Sequence, residues 1–493
     1  MSQGPRLPIK LDSATNGEYA PMPVGSTIAY ARTLAAERIA GNAKRVGQSR
    51  RRFMAGVCGA ATTLLALNDA FAMRRANGGR FELPPESAVE PEAAQAIMGR
   101  EFIFDIQTHF VEANGTAWRQ GPVEGAKNFD VIGQMVAGLP PKACAGASAH
   151  LKCYDADNYI KDVFLDSDTD LAVLSFVPAL PGENPVSMKE AARVQGLVAA
   201  LGQGRRLLLH AMIVPNVDDR KRELARMAEV HKEYNISAWK VYPQWGPKGV
   251  GWWVDDPAIG IPFIEEARKI GVKNICMHKG FAFPGNEPQY ASAIDVGRAA
   301  KKYPDMNFIV YHSGIDVDPP ESAYNPAKAD KGVDTLIKSL LDNGVPPDSN
   351  VYAEIGSTWR LVMRDPNQAA HTLGKLIKHV GAKRVLWGSD SIWYGSPQDQ
   401  IQALRAFQIS KEYQDRYGYA ALTPEIKADI FGLNAAPIYG VDPAAARKRG
   451  SLDPLGRMKA EYREEPSPSF ETLGPRDAAE WRRFQKVHGV GPG

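Results

Sequence analysis

Four short stretches of this chain place histidine or carboxylate side chains where apolar runs end. They are Asp105-Ile106-Gln107-Thr108-His109, Met277-His278-Lys279-Gly280, Tyr311-His312-Ser313-Gly314 and Trp387-Gly388-Ser389-Asp390. Alternate residues of a strand share a face, so Gln107 and His109 are expected to point at one spot. Imidazoles with a carboxylate oxygen form a three- or four-ligand shell with an open position, as a catalytic divalent ion such as zinc requires. A single histidine at a strand end is more often a hydrogen-bonding residue. His109, His278, His312 and Asp390, each at the same end of a different strand, predict a metal site.

The elements that must hold these residues alternate along the chain. Apolar runs at about 102–107, 171–176, 206–213, 236–242, 273–278, 307–312, 350–355 and 384–389 read as eight strands. FIFDI, LAVLSF and NFIVY are apolar on both faces, which suits strands buried between a core and a helical layer. Between them, 187–201, 219–234, 258–270, 291–303, 333–343 and 366–380 carry apolar residues at helical spacing. Eight such units over residues 101–440 predict an α/β fold, a (β/α)8 TIM barrel with a long first connection. A doubly wound sheet is disfavoured because no glycine-rich turn follows an early strand. Chemistry in such a barrel gathers at the C-terminal ends of the strands. Lys240 and Glu354 lie at those ends too. Trp359 and Arg360 follow strand seven and are expected to line the pocket, Arg360 as a carboxylate clamp.

The flanks read differently. Residues 1–72 hold nine Lys/Arg and four Asp/Glu, leaving fifty basic against fifty-two acidic residues beyond. A body so near neutrality argues against nucleic acid as a partner. Ser49-Arg50-Arg51-Arg52-Phe53-Met54, the weakly apolar run to Leu67 and Ala70-Phe71-Ala72 resemble a twin-arginine export signal. The expectation is therefore a disordered stretch over 1–48, a leader ending at Ala72, and a mature protein that starts near Met73 and is periplasmic or exported. Without cleavage the protein would be cytoplasmic. Residues 73–100 read as a linker and 441–493 as a tail wrapping the barrel. No apolar run reaches the ~20 residues of a membrane-spanning helix. Of the four cysteines, Cys144 and Cys153 are close enough in sequence to pair, but free thiols are the favoured reading.

The motifs together are similar to the amidohydrolase superfamily, and within it to the amidohydrolase-related branch that includes aminocarboxymuconate-semialdehyde decarboxylase. The similarity covers about residues 101–440. It rests on FDIQTHF, His278, the HSG of strand six, the GSD of strand eight and the closing stretch Ile430–Tyr439. It implies one divalent metal, zinc or manganese, bound by Gln107, His109, His278 and Asp390, with His312 beside it as acid/base or electrostatic group. The family has His-x-His on strand one, whereas this chain has Gln107-Thr108-His109. A glutamine oxygen is a weaker donor than imidazole, so Gln107 either binds the metal or orients water or substrate. Lys240 lies where binuclear members carry a bridging carbamylated lysine; a buried charge paired with Glu354 or a substrate anion is the preferred reading.

Three functions follow. A metal-activated water, with Asp390 as base and His312 steadying the oxyanion, would hydrolyse an amide or lactone of a small substrate, aromatic ones among the candidates. The same site would release carbon dioxide from an aromatic or muconate-like acid. A barrel that has lost catalysis and only binds ligands is the third. Trp118, Trp245, Trp252, Trp253, Trp359 and Trp393 suggest a pocket for a flat ring, and a homo-oligomer is expected.

Overall fold

The computed structural model describes residues 5–12, 15–16, 18–112, 153–180, 184–202, 204–282, 287–450, 453–470, 472, 477–479 and 481. Ten strands lie among them. β1 (Gly79–Phe81) and β10 (Phe407–Ile409) form an antiparallel ribbon outside the barrel. The other eight run parallel in chain order: β2 (Phe104–Thr108), β3 (Leu171–Leu174), β4 (Leu207–Met212), β5 (Ala238–Val241), β6 (Asn274–His278), β7 (Asn307–Tyr311), β8 (Val351–Glu354) and β9 (Val385–Leu386). Ile106 N–H donates to the Trp387 carbonyl (3.1 Å) and Asp390 N–H to the Gln107 carbonyl (2.9 Å), which joins β9 back to β2. The fold is a (β/α)8 barrel.

The helices begin where their caps dictate. Ser187 accepts from the Glu190 amide at the start of Met188–Leu201, and Asp219 caps Arg220–Tyr234 in the same way. Asp365 caps Pro366–His379, with proline at the first helical position, where its missing N–H costs nothing.

Inside the barrel, the two-residue period of the strands sorts side chains into layers. Leu208, Ala238, Cys276, Ile309 and Tyr352 belong to an apolar cluster closed below by Ala435, Ala436 and Tyr439. Two residues further along the same strands come His210, Lys240, His278, Tyr311 and Glu354, all buried. The polar layer therefore sits directly on the apolar one, at the C-terminal mouth.

The N-terminal region departs from the expectation of disorder over 1–48. α1 (Ser26–Arg45) buries Ala31, Ala35, Ile39 and Ala43, a stripe at four-residue spacing that lies on α3 (Val57–Ala72). The short α2 (Arg50–Ala55) joins them, its arginines exposed and its Phe53 and Met54 buried. Gly59 makes the close approach possible, because a Cβ there would lie 2.7 Å from the Phe53 carbonyl oxygen. Small residues make a weak hydropathy signal but a tight helix contact. The stretch read as a linker also packs, through β1 and through buried Ala94 and Ile97.

In the C-terminal extension, Pro454–Glu464 is a helix whose Leu455 is buried and whose Tyr462 donates to Asp166 (2.8 Å). Cys58 and Cys276 are free thiols. Cys153 is disulfide-bonded, contrary to the free-thiol expectation; Cys144, Trp118 and His150 lie outside the described residues.

Candidate active site

The strand ends converge as their positions require. His109 Nε2 lies 3.2 Å from Asp390 Oδ1, and Gln107 Nε2 donates to the same oxygen at 3.0 Å. A register irregularity between Asp105 and Thr108 turns Gln107 toward Asp390 although Ile106 remains in the apolar layer below. Ser357 Oγ donates to Asp390 Oδ2 at 2.6 Å. His278 and His312 meet edge to face with ring centroids 4.6 Å apart. His109 stacks on Trp393 at 5.5 Å, which places that tryptophan at the site wall.

The backbone at these positions is unusual. His312 (φ 62°), Ser313 (φ 53°), Ser357 (φ 54°) and Asp390 (φ 58°) all occupy the left-handed region without being glycine. Such conformations cost about 1–3 kcal/mol each and cluster where a site demands them. Here each follows a strand end and turns a side chain back over the barrel axis. Gly388 has a different reason: a Cβ there would fall 1.9 Å from Glu354 Oε1.

Burial sets the charge states. It pushes the His312 imidazole down to about 4 and holds His278 well below the ordinary value. Both rings are therefore neutral, with lone pairs to offer. The His312 Nδ1–Gly356 carbonyl contact, 2.6 Å, requires the proton on Nδ1 and leaves Nε2 as the acceptor. Burial also raises Glu354 to about 8 and Asp105 to about 7, and lowers Lys240 to about 8. Burial alone would raise Asp390, yet the bond from His109 and the neighbouring His312 outweigh it and hold its carboxyl below the usual range.

Other candidates take different places. Among the described residues Lys240 Nζ has no hydrogen-bond partner, Glu354 included; it lies over the rings of Tyr311 (3.7 Å) and Tyr242 (4.6 Å). Glu354 accepts the backbone N–H of His312 at 3.0 Å and that of Gly356. Trp359 is buried against Phe407 and donates to the Gln400 carbonyl (2.9 Å). Arg360 does clamp a carboxylate, that of Asp12 in the same chain, at 2.7 Å. His210 lies within 3.1 Å of the Tyr439 hydroxyl, in the polar layer.

The residues missed in the sequence come from the far N-terminus. Asn16 Nδ2 donates to Asp390 Oδ2 at 2.8 Å, and Glu18 Oε1 lies 3.6 Å from His278 Nδ1. Burial, then the Asp390 charge, push the Glu18 carboxyl well up. No local pattern in the sequence around Asn16 and Glu18 marks them.

The donor set fits a divalent metal. Neutral imidazoles and carboxylates share one buried volume, and His109 Nδ1 and Gln107 Oε1 are buried without hydrogen-bond partners. An amidohydrolase family model matches residues 190–441, just over half of the chain. The chain belongs to the amidohydrolase family. This amidohydrolase is thus an enzyme of a family that is typically metal-dependent. The match covers His278, His312 and Asp390 and starts after Gln107 and His109. Among solved structures, the amidohydrolase is similar to an uncharacterized TIM-barrel protein from Bordetella bronchiseptica. Identity is 15%, coverage 69% of this chain and 98% of that one, and the TM-score 0.42. It is also similar to 5-carboxyvanillate decarboxylase from Sphingomonas paucimobilis, at 14% identity, 70% and 100% coverage and a TM-score of 0.44. A search of curated protein sequences finds no significant match. No helix among the described residues is long and apolar enough to cross a membrane.

Proposed function

We propose that this amidohydrolase hydrolyses an amide or lactone bond of a small anionic substrate, with His312 as the general base. The observation that carries this reading is the 2.6 Å contact of His312 Nδ1 with the Gly356 carbonyl. It fixes the tautomer whose bare Nε2 faces the site, ready to take a proton from water. Asp390 is a poorer base than the sequence suggested, because His109, Gln107, Ser357 and Asn16 already surround its two oxygens. Its role is to hold and orient. The Gln107 amide N–H donates to His312 Nε2 at 3.4 Å, a long bond that an incoming water would replace. Lys240, charged and without a hydrogen-bond partner among the described residues, supports an anionic group on the substrate. His109, His278 and Asp390 would hold the metal, zinc or manganese; when bound it supplies positive charge that polarises water or a substrate oxygen.

Release of carbon dioxide is the second reading, favoured by the same Lys240 and by the neutral Gln107 where the resembled family has histidine. Turnover of aromatic carboxylates and lactones by the zinc- and manganese-loaded protein decides, with carbon dioxide scored separately from ring opening. Ring opening without carbon dioxide is the expected result, and carbon dioxide as the sole product would reverse the assignment. For location we propose export in the folded state, supported by the exposure of Arg50, Arg51 and Arg52. Residues before Met73 would be kept, since cleavage after Ala72 removes Asn16 and Glu18.

A further inference from the structure

The barrel itself brings a single ionised carboxylate, Asp390, to the metal-binding imidazoles, and β2 offers the neutral Gln107 beside His109. A second carboxylate arrives from outside the barrel. Residues 5–12, 15–16 and 18–19 lie across its C-terminal mouth with Leu7, Ile9 and Leu11 buried. Lys10 Nζ donates to the carbonyls of Tyr394 (2.7 Å) and Ser396 (2.9 Å). Asp12 pairs with Arg360 (2.7 Å), and further along Tyr19 stacks on Phe281 with ring centroids 4.5 Å apart. These anchors lie on either side of Asn16 and Glu18.

What they deliver is Glu18. Its Oε1 lies 3.6 Å from His278 Nδ1 and its Oε2 4.0 Å from His312 Nε2. The donor atoms of the three residues lie within 4.8 Å of one another. These separations are too long for hydrogen bonds. They suit donors that share an ion, because two ligands about 2.1 Å from a tetrahedral metal are about 3.4 Å apart. An independent contact points the same way. Asn16 Nδ2 donates to Glu18 Oε2 and to Asp390 Oδ2, at 2.8 Å each. One amide thus draws two carboxylates together in a buried site where Lys240 bonds neither. Converging buried carboxylates call for a cation between them.

We propose that Glu18 is a ligand of the divalent metal, supplied by the N-terminal segment where β2 carries Gln107. The metal site is then shared between the barrel and Glu18, with Asn16 beside it. Gln107 uses its amide N–H on Asp390 instead. Because the ion binds better when the segment is docked, it must also stabilise the docking, by the reciprocity of linked equilibria. The inference rests on the metal-dependent reading of the site and adds to it a residue that lies outside the family match.

The test uses the full-length protein and Glu18→Gln, which keeps the shape and removes the charge. Zn²⁺ and Co²⁺ affinities are measured by chelator competition, and the Co²⁺ ligand-field spectrum reports the donor set. Glu18→Gln should weaken both ions by at least about tenfold and shift the Co²⁺ bands, with an unchanged far-ultraviolet circular dichroism spectrum. Zn²⁺ should protect the segment before residue 25 from limited proteolysis in the wild type and much less in Glu18→Gln; this readout stands even if the variant is less stable. Unchanged affinity and spectrum in Glu18→Gln would overturn the proposal, and faster turnover alongside them would make the segment a removable cover. A wild-type protein that binds neither ion would overturn the metal-dependent reading as well, so the two failures are told apart.

Discussion

The barrel and the N-terminal region are built on opposite principles. In the barrel, each strand end delivers its own functional side chain, and the position follows from the two-residue period: Lys240 above Ala238, His278 above Cys276, Glu354 above Tyr352. In the N-terminal region the site residues Asn16 and Glu18 lie in irregular chain. Contacts hundreds of residues away hold them, Lys10 to Tyr394 and Asp12 to Arg360. A region anchored by specific pairs can be undone one pair at a time; a barrel layer cannot. The difference teaches that this site has a rigid half and a docked half.

The largest expected effect falls on the rigid half. His278→Ala and Asp390→Ala should each lose most bound metal and at least about a thousandfold in turnover, since each removes a ligand. Near-normal activity in both variants after exhaustive chelation would remove the metal from the reaction. Next come the packed helices. Leu64→Ala in α3 and Leu336→Ala in the barrel's outer layer both empty fully buried positions and should each cost about 2–5 kcal/mol. If α3 is part of the same cooperative unit, both variants shift one common urea transition. A barrel transition untouched by Leu64→Ala would show that the N-terminal helices fold apart from it.

Arg360→Ala probes the docked half alone. It leaves Asp12 without its pair and should cost about 3 kcal/mol, opening the segment before residue 25 to proteolysis while the barrel stays folded. Burial raises the Asp12 carboxyl, but Arg360, the Thr472 hydroxyl, Arg32 and Lys10 together outweigh it and the net shift is downward. A group lowered on folding stabilises the docked state above its unfolded value of about 3.9 and loses that contribution as pH falls through its folded value. Docking should therefore weaken below about pH 4, and Arg360→Ala, which removes the largest of the interactions that lower Asp12, should change that dependence. Gln107→Ala is expected to lower turnover while metal affinity stays within about threefold, less than 1 kcal/mol. A loss of affinity as large as that of Glu18→Gln would return the ligand role to Gln107. The smallest effect belongs to Arg50→Lys with Arg51→Lys. Both side chains are exposed, so stability should move by no more than about 0.5 kcal/mol, and any change of cellular location would then report recognition rather than folding.

Much of the barrel was legible in the linear chain because its signals are local. The runs around LAVLSF and NFIVY are strands, and the helix expected over 333–343 is Val333–Asn343. His109, His278, His312 and Asp390 announced themselves because strand ends are the places where a parallel barrel exposes side chains to one another. What the chain could not reveal by itself were the pairings that cross it. α1 packs on α3 through alanines, and α3 approaches α2 closely at Gly59, small residues that barely register in hydropathy. The separation of Asn16 from Asp390 is 374 residues along the chain and 2.8 Å in space. Nothing in the neighbourhood of Glu18 marks it as a site residue, because its environment is made by His278 and His312 and by the anchors at Lys10, Asp12 and Tyr19. Residue type and local period determined which half of the site the barrel would build; only the tertiary fold, by burying charges that must find partners, decided what completes it.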